Sequence, residues 1–157
     1  MAIHKLHIDE FDENDYTLVA IHTSLEDYRL AYFINQKLPV RLSKNKDEIQ
    51  IQVKQGETSF SRYTFENNDA EISWNLIQNK NEIDVSRATT TDLFSNQTVA
   101  TKVYLLPEFK KVDYFLKIEN VAENIESITS KINTISQISA VYAIGANTIK
   151  SKNNLIF

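Results

Sequence analysis

Cysteine is absent from this chain of 157 residues, and glycine is nearly so. Without cysteine, disulfide bonds, thiolate nucleophiles and cysteine-ligated zinc are excluded. The two glycines, Gly56 and Gly145, lie far apart. Phosphate-binding loops need clustered glycines, because the backbone approaches the phosphate in conformations that a Cβ penalises. The P-loop and the Rossmann fingerprint are therefore absent, which disfavours the commonest ATP and NAD folds but leaves other modes of nucleotide binding open.

Long apolar runs are also missing. None approaches the roughly 20 residues that a membrane-spanning helix needs. Residues 1–16 lack the apolar core of a signal peptide. We therefore expect a cytoplasmic protein with no membrane partner.

Basic residues are fewer than acidic residues, and the formal net charge is −4. Non-specific nucleic-acid binding draws on clustered Lys and Arg, which displace counterions. The acidic balance therefore disfavours a nucleic-acid partner, although a local basic patch stays compatible with it. The 42% of apolar and 24% of charged residues are ordinary for a globular protein. We expect a single domain over residues 1–157.

The first half of the chain predicts a strand, a helix and an antiparallel meander. Residues 16–23, "YTLVAIHT", are β-branched, aromatic and nearly continuously apolar, which is typical of a central strand. Ser24 is positioned to cap a helix that ends before Pro39. The predicted buried stripe of that helix contains Leu25, Tyr28, Ala31, Tyr32 and Leu38. Strict alternation in "EIQIQVK" and "AEISWNLIQNK" then indicates strands of a meander over residues 40–80.

The second half predicts a polar loop, a strand pair, a helix and a last strand. Residues 84–97 carry little periodicity and predict the loop. "TVATKVYLLP" is a predicted strand, with "VDYFLKIE" as its partner. Apolar residues spaced by four and three predict one buried helix stripe, made of Val121, Ile125, Ile128, Ile132 and Ile135. Asn120 and Glu123 have the spacing of a capping box. "ISAVYAIG" predicts a final strand, and the apolar end of the chain predicts a docked tail.

Together these elements predict an α+β fold with a mainly antiparallel sheet and two helices. Without the meander, the order is strand, helix, strand, strand, helix, strand. That order is typical of the ferredoxin-like βαββαβ unit, and the meander would be inserted into it.

Two carboxylates flank the turn in "LLPEFKKVDYFLKIEN", at Glu108 and Asp113. A structural role is the favoured interpretation: Pro107 has no N–H to donate and sets a corner, while an acidic side chain accepts from turn N–H groups. A functional role would pair the acids as general acid and base, or as ligands of a hard cation. The sequence identifies no third partner, and two carboxylates are too few for calcium. We predict no catalytic residue, no metal and no cofactor here.

The stretch "LPEFKKVDY" resembles the signature of the IPExxxVDY family of small bacterial proteins. Matching residues are Pro107, Glu108, Val112, Asp113 and Tyr114, and Leu106 replaces the first isoleucine. The similarity also runs through "LEDYRLAYFINQKL", "WNLIQNK" and "KSKNNLIF", so it covers most of the chain. The resemblance implies no activity and assigns these motif residues no role.

The three histidines are candidate ligands or bases. His4 and His7 lie three residues apart in a predicted extended arm, where odd spacing puts them on opposite faces, so we predict an incidental pair. His22 ends a predicted buried strand. A hydrogen-bonded core histidine is favoured there, and a general base is the alternative. Ser24 follows closely, but capping explains it and no G-x-S-x-G elbow surrounds it.

Aromatic residues in "EDYRLAYFIN" have two interpretations. If exposed, Tyr28, Tyr32 and Phe33 would be able to stack on nucleic-acid bases. Aromatics at helical spacing more often pack into a core, and we favour that interpretation.

The leading functional hypothesis is a non-enzymatic protein–protein interaction or adaptor module, with an unidentified protein partner and an open oligomeric state. The alternative is an RNA-associated adaptor that uses aromatics on a sheet face as a stacking platform. The second alternative is an enzyme with a carboxylate-based site. A deep pocket lined by Glu108, Asp113 and His22 would favour that enzyme.

Overall fold

The computed structural model describes residues 16–86, 98–121 and 123–157. In chain order, the strands are β1 (Tyr16–Thr23), β2 (Ser43–Lys44), β3 (Ile49–Val53), β4 (Gly56–Phe60), β5 (Arg62–Asn67), β6 (Ile72–Gln78), β7 (Lys80–Ser86), β8 (Thr98–Tyr104), β9 (Tyr114–Glu119) and β10 (Ile138–Ile144). The α-helices are α1 (Asp27–Lys37) and α2 (Ile125–Asn133), and short 3₁₀ helices cover Pro107–Phe109, Ala146–Thr148 and Lys152–Leu155. The predicted α+β class, with two helices and a mainly antiparallel sheet, is confirmed.

A six-stranded sheet forms the centre of the fold, in the spatial order β10-β1-β9-β6-β5-β2. Every neighbouring pair in it is antiparallel. β9 lies in the middle, where Leu116 is opposite Val19 of β1 and Leu76 of β6. Phe115 and Leu116 point to opposite faces of the sheet, and both are fully buried. The sheet is therefore covered on both sides.

The two helices cover one face. Side chains of β1, β6 and β9 pack there against both helices, in a cluster that includes Val19, Ile21, Trp74, Leu76, Tyr114, Leu116, Ile118, Leu30, Ala31, Ile34, Ile128 and Ile132. Each fully buried Leu or Ile contributes roughly 1.5–3 kcal/mol relative to leaving it exposed. The two helices depend on this contact, since both are short.

Two strand pairs and the end of the chain cover the opposite face. One pair is β3 with β4 and the other is β7 with β8. The second cluster lies between them and the sheet, and it includes Leu18, Ala20, Ile77, Phe115, Ile49, Phe60, Val103, Leu105, Leu106, Ile149 and Leu155. Leu155 is buried, so the predicted docking of the tail is confirmed for that residue, while Ile156 is 77% exposed.

The predicted pairing of β8 with β9 is wrong. β8 pairs with β7, and β9 is flanked by β1 and β6. β9 is buried on both faces, which places it in the interior of the main sheet, and β6 supplies its second neighbour. The ferredoxin-like order with β8 beside β9 is therefore not confirmed. A single meander over residues 40–80 is also wrong, because β3 and β4 form a separate ladder.

The predicted polar loop over residues 84–97 begins too early, because residues 84–86 end β7 and pair with β8. The rest of that prediction, at residues 87–97, lies outside the described residues. The acidic arm with His4 and His7 also lies outside them.

Helix α1 is rotated relative to the predicted stripe. Leu30, Ala31 and Ile34 are buried, whereas Tyr28 and Tyr32 are each 59% exposed. Leu30 and Ile34 are an aliphatic pair at positions i and i+4, and they pack without hydrogen-bond partners. Buried tyrosine hydroxyls would need such partners. Ser24 is not the cap, since the helix begins after Glu26 with no side-chain cap.

Helix α2 begins later than predicted, although its isoleucine stripe is confirmed. Ile128 and Ile132 are fully buried. The capping residue is Asn124, whose side chain accepts a hydrogen bond from the Glu126 amide. Asn120 instead adopts a left-handed backbone with φ of 54°, and its side chain donates to the Glu71 carbonyl oxygen at 2.6 Å. The predicted box of Asn120 with Glu123 therefore does not form.

Candidate functional site

The turn between β8 and β9, residues 105–113, carries the acid pair singled out in the sequence. Pro107 begins a short 3₁₀ helix, where its missing N–H costs nothing. Leu105 and Leu106 before it are fully buried, and Val112 after it is buried. The turn is thus held at both ends by apolar anchors.

Asn79 organises the turn from the end of β6, and it is fully buried. Its side-chain amide donates to the carbonyl oxygens of Phe109 at 2.9 Å and Val112 at 2.7 Å. Its side-chain oxygen accepts from the Leu106 amide at 2.9 Å. Sequence reasoning missed this residue, because asparagine is common in this chain and nothing local distinguishes Asn79 from the others.

Glu108 reaches away from the turn to the last segment of the chain. Its Oε1 accepts from the amides of Lys150 at 3.1 Å and Ser151 at 2.9 Å, and its Oε2 accepts from the Ser151 hydroxyl at 2.9 Å. Partial burial by itself raises the pKa of Glu108, but these hydrogen bonds and one from its own amide outweigh it and lower the pKa below the usual value. Glu108 is therefore held as a carboxylate.

Asp113 faces a different part of the fold, at the end of β1. Its Oδ2 accepts from the Thr23 amide at 2.9 Å, and its Oδ1 lies 2.8 Å from Lys80 Nζ. The next residue, Tyr114, donates its hydroxyl to the Leu25 carbonyl oxygen at 2.7 Å. Burial, followed by the nearby carboxylates of Asp27 and Asp113, raises the pKa of Tyr114, so the phenol remains a hydrogen-bond donor.

The two carboxylates therefore serve separate structural contacts. Both satisfy backbone N–H groups, as the structural interpretation expects, but those groups belong to distant segments instead of the turn itself. The surface depression beside the turn is lined by residues 107–112 and Tyr142, and neither Asp113 nor His22 lines it. Within the described ranges, no three His, Asp or Glu side chains are grouped so that they would hold a metal ion.

His22 lies near the sheet edge, partly exposed. Its Nε2 shares a hydrogen bond of 2.9 Å with the Tyr142 hydroxyl, and the two rings lie 5.5 Å apart. It is hydrogen-bonded, as the favoured interpretation expects, but it is not a core residue. His22 does not line the depression beside the turn, although Tyr142 does, together with Glu108.

Lys117 is a buried cation that the sequence pattern did not predict. Only 7% of the residue is exposed. Its Nζ donates to the Leu155 carbonyl oxygen at 2.9 Å and lies 3.1 Å from Glu119 Oε1. The rings of Tyr16 and Phe157 lie within 4.9 Å and 4.7 Å of the same nitrogen. Lys117 thus anchors the end of the chain on the sheet.

One apolar pocket of about 150 Å³ opens on the helix face of the sheet. Its lining includes Phe65, Trp74, Val121 and Ile128. Pockets for cofactors and drug-sized ligands occupy roughly 300–1,000 Å³. The pocket is therefore too small for such a ligand.

Among the described residues, tyrosine rings are exposed on two surfaces. Tyr28 and Tyr32 lie one turn apart on the solvent side of α1, and the Tyr32 hydroxyl accepts a hydrogen bond of 2.8 Å from the Gln36 side chain. Strand β10 forms one edge of the main sheet, with Tyr142 45% exposed. The preference for buried aromatics in α1 was therefore wrong for both tyrosines, while Phe33 packs partly against the core.

Comparisons with protein-family models, with curated proteins and with solved structures give no match in any of the three. Among the helices of the described ranges, none is both long enough and apolar enough to cross a membrane.

Proposed function

We propose that the protein is a non-enzymatic interaction module, located in the cytoplasm, whose contact surface is the solvent side of α1. The observation that carries this proposal is the exposure of Tyr28 and Tyr32, each 59% accessible and one helical turn apart. Tyrosine is enriched at protein interfaces and among the residues that dominate binding energy, because it combines a large apolar ring with a polar tip.

The surroundings of the two rings support a preformed surface. The Gln36 side chain donates to the Tyr32 hydroxyl, and the Tyr32 ring meets the edge of Phe33 with centroids 5.6 Å apart. Phe33 in turn packs against the core. A side chain held in this way loses less entropy on binding than a free one does.

One pair of opposite charges beside the surface is matched within the protein. Arg29 lies between the tyrosines in sequence and forms an ion pair of 3.6 Å with Glu26. The surface therefore presents aromatic rings and hydroxyls more than net charge. Its best complement is a protein surface with a shallow apolar depression and hydrogen-bonding groups at the rim.

The carboxylates of the turn support the non-enzymatic part of the proposal. Glu108 and Asp113 are each engaged with backbone N–H groups of different segments. A general acid and base must reach one substrate together, and these contacts direct the two acids to different segments. The alternative of a stacking platform for RNA on the main sheet has less support, because both faces of the sheet are covered.

Membership in the IPExxxVDY family is likewise proposed, on the matched motif and the similar stretches around it. The five matching residues lie in one turn and the start of β9, where Glu108 binds the segment at Ser151, while Asp113 and Tyr114 both bind the chain at residues 23–25.

Quantitative affinity purification from native cells tests the proposed function. The bait variants are Tyr28→Ser with Tyr32→Ser, and Val99→Ser as a control that removes exposed apolar surface from the opposite layer. We expect a specific partner whose capture falls at least about tenfold in the double variant but not in the control. Circular dichroism and thermal unfolding verify that all three proteins fold.

Two results would contradict the proposal. One is a set of captured proteins that is the same for the double variant and wild type. The other is substrate turnover that Glu108→Gln or Asp113→Asn removes while the fold survives. Salt-sensitive retention on RNA that depends on the tyrosines would instead favour the RNA-associated adaptor.

A further inference from the structure

Two surface depressions meet beside the turn at residues 105–113. Among the residues that the structure describes, their linings include four lysines and two tyrosines: Lys80, Lys102, Lys110, Lys111, Tyr104 and Tyr142. Lys110 connects the depressions, because it lines one of them and its Nζ lies 5.9 Å from the centre of the Tyr104 ring in the other. We call these six residues the lysine surface.

The fold builds the lysine surface from distant parts of the sequence. Two of its lysines belong to the turn, and the other two come from the paired strands β7 and β8. A further lysine adjoins the turn, since the amide of Lys150 donates to Glu108 Oε1 at 3.1 Å. A local basic region therefore exists in a chain whose net charge is −4.

Lysines outnumber acids on the lysine surface. The acids in its described lining are Glu82, which is opposite Lys102 in the β7–β8 ladder, and Glu108. Lys80 is occupied by its ion pair with Asp113. Within the described ranges, no ion pair involves the other three lysines, which are all exposed: Lys102, Lys110 and Lys111. Three ammonium groups are therefore available to an anionic ligand.

The two tyrosines of the lysine surface add aromatic rings beside the cations. Tyr142 is 45% exposed, and its ring lies 5.5 Å from that of His22. Tyr104 is partly exposed beside Lys110. Surfaces that bind single-stranded nucleic acid combine rings, on which bases stack, with cations that contact the phosphates. A lipid headgroup or an acidic peptide would use the cations but would offer no base to the rings.

We propose that the lysine surface binds single-stranded RNA, with a base stacked on Tyr142 and phosphates at Lys110 and Lys111. The acidic total charge permits this binding, because salt screens charges beyond about 10 Å at roughly 0.1 M. The choice of RNA over DNA rests on the cytoplasmic location proposed above. The site is otherwise independent of the α1 surface, which lies on the other side of the main sheet.

Fluorescence anisotropy with a labelled oligouridine of about 12 nucleotides tests the lysines. For wild type in about 50 mM salt, we expect a Kd of about 1–50 µM that weakens as the salt concentration rises. Lys110→Gln with Lys111→Gln should weaken binding at least about fivefold and lower the salt slope by about 0.7 for each lost phosphate contact.

The matched control is Lys37→Gln with Lys54→Gln, which removes the same charge from exposed lysines elsewhere. It should stay within about twofold of wild type. Absence of binding up to about 100 µM protein, or equal weakening by the two double variants, would overturn the proposal.

A pair of substitutions at Tyr142 tests the stacking. Tyr142→Phe and Tyr142→Leu both lose the hydroxyl that bonds to His22, but only Tyr142→Leu loses the ring. We expect Tyr142→Leu to weaken binding about fivefold or more and Tyr142→Phe to stay within about twofold of wild type. Equal affinities of the two variants would indicate a general anion-binding surface and would overturn RNA as the ligand.

Two further measurements separate this site from DNA binding and from α1. Oligothymidine of the same length should bind no more tightly than oligouridine, and a clear preference for oligothymidine would overturn the choice of RNA. Tyr28→Ser with Tyr32→Ser should bind oligouridine as wild type does, so this proposal and the proposed function fail separately. Loss of RNA binding in that variant would place the site on α1 and overturn the lysine surface. Circular dichroism verifies that every variant folds.

Discussion

The Asn79 side-chain amide donates to the Val112 carbonyl oxygen at 2.7 Å, which joins the end of β6 to the turn before β9. The main chain of the same residue adds two further bonds, because its amide donates to the Asp113 carbonyl oxygen and its carbonyl accepts from the Leu105 amide. Asn79 therefore fixes both ends of the turn that separates β8 from the main sheet.

Asn79→Ala should destabilise the fold strongly. Removing the side chain leaves the Leu106 amide and the Val112 carbonyl oxygen without that partner in a buried site, while the Phe109 carbonyl oxygen still accepts from the Val112 amide. Each unsatisfied buried group costs about 1–3 kcal/mol, so the free energy of unfolding should fall by about 2 kcal/mol or more. Urea unfolding measures it, with Asn133→Ala on the exposed side of α2 as the control.

A second substitution at the same position separates the hydrogen bonds from the loss of volume. Asn79→Asp has nearly the same shape but, when ionised, turns a carboxylate oxygen toward two carbonyl oxygens. On acidification, the free energy of unfolding of Asn79→Asp should rise relative to that of Asn79→Ala, because the protonated acid donates one hydrogen bond. If the free energies of unfolding of the two variants change with pH in the same way, then packing and not hydrogen bonding gives Asn79 its role.

Glu108 should make stability depend on pH in the acidic range. Its hydrogen bonds lower its pKa in the folded state, so the carboxylate stabilises the fold above the unfolded value of about 4.3. That stabilisation is lost as the pH falls through the folded pKa. The difference in unfolding free energy between wild type and Glu108→Gln should be constant near neutrality and shrink toward about pH 3. Glu66→Gln, at an exposed position on β5, is the control.

Asp113 should contribute more to stability than its ion pair with Lys80 does. The two side chains are 27% and 40% exposed, so the pair is worth at most about 1 kcal/mol, and Lys80→Met should cost no more than that. Asp113→Ala also removes the acceptor of the Thr23 amide and should cost about 1.5–3 kcal/mol. Equal losses from the two variants in urea unfolding would assign the whole effect to the ion pair.

The apolar pattern predicted where the helices and strands form better than it predicted which strands pair with one another. Local periodicity shows which face of a single helix or strand is buried. It therefore predicted β1, the isoleucine stripe of α2 and the alternating strands. The pairing of β9 with β6 depends on which strand fills a position in the sheet, and neighbouring residues do not encode that choice.

The sequence predicted that the acids of the turn have a structural role, but it did not predict which segments they contact. Its proline and flanking acids indicated a structural corner, but Glu108 binds the segment at Ser151 and Asp113 binds the end of β1. The sequence separations of 43 and 90 residues place these partners beyond any local pattern. Asn79 was missed for the same reason, since its partners lie 27 to 33 residues away.

Lys117 should hold the end of the chain on the sheet. Lys117→Met keeps an unbranched apolar stem but removes the donor to the Leu155 carbonyl oxygen and the cation between the rings of Tyr16 and Phe157. Leaving that carbonyl unpaired should cost about 1–3 kcal/mol. The loss should concentrate in the last residues, so hydrogen exchange of the amides near Leu155 should accelerate more than exchange in β1. Lys152 is an exposed lysine in the same segment, and Lys152→Met should change neither the free energy of unfolding nor the exchange of these amides. Uniform acceleration through the sheet would show instead that Lys117 supports the whole fold and not the tail alone.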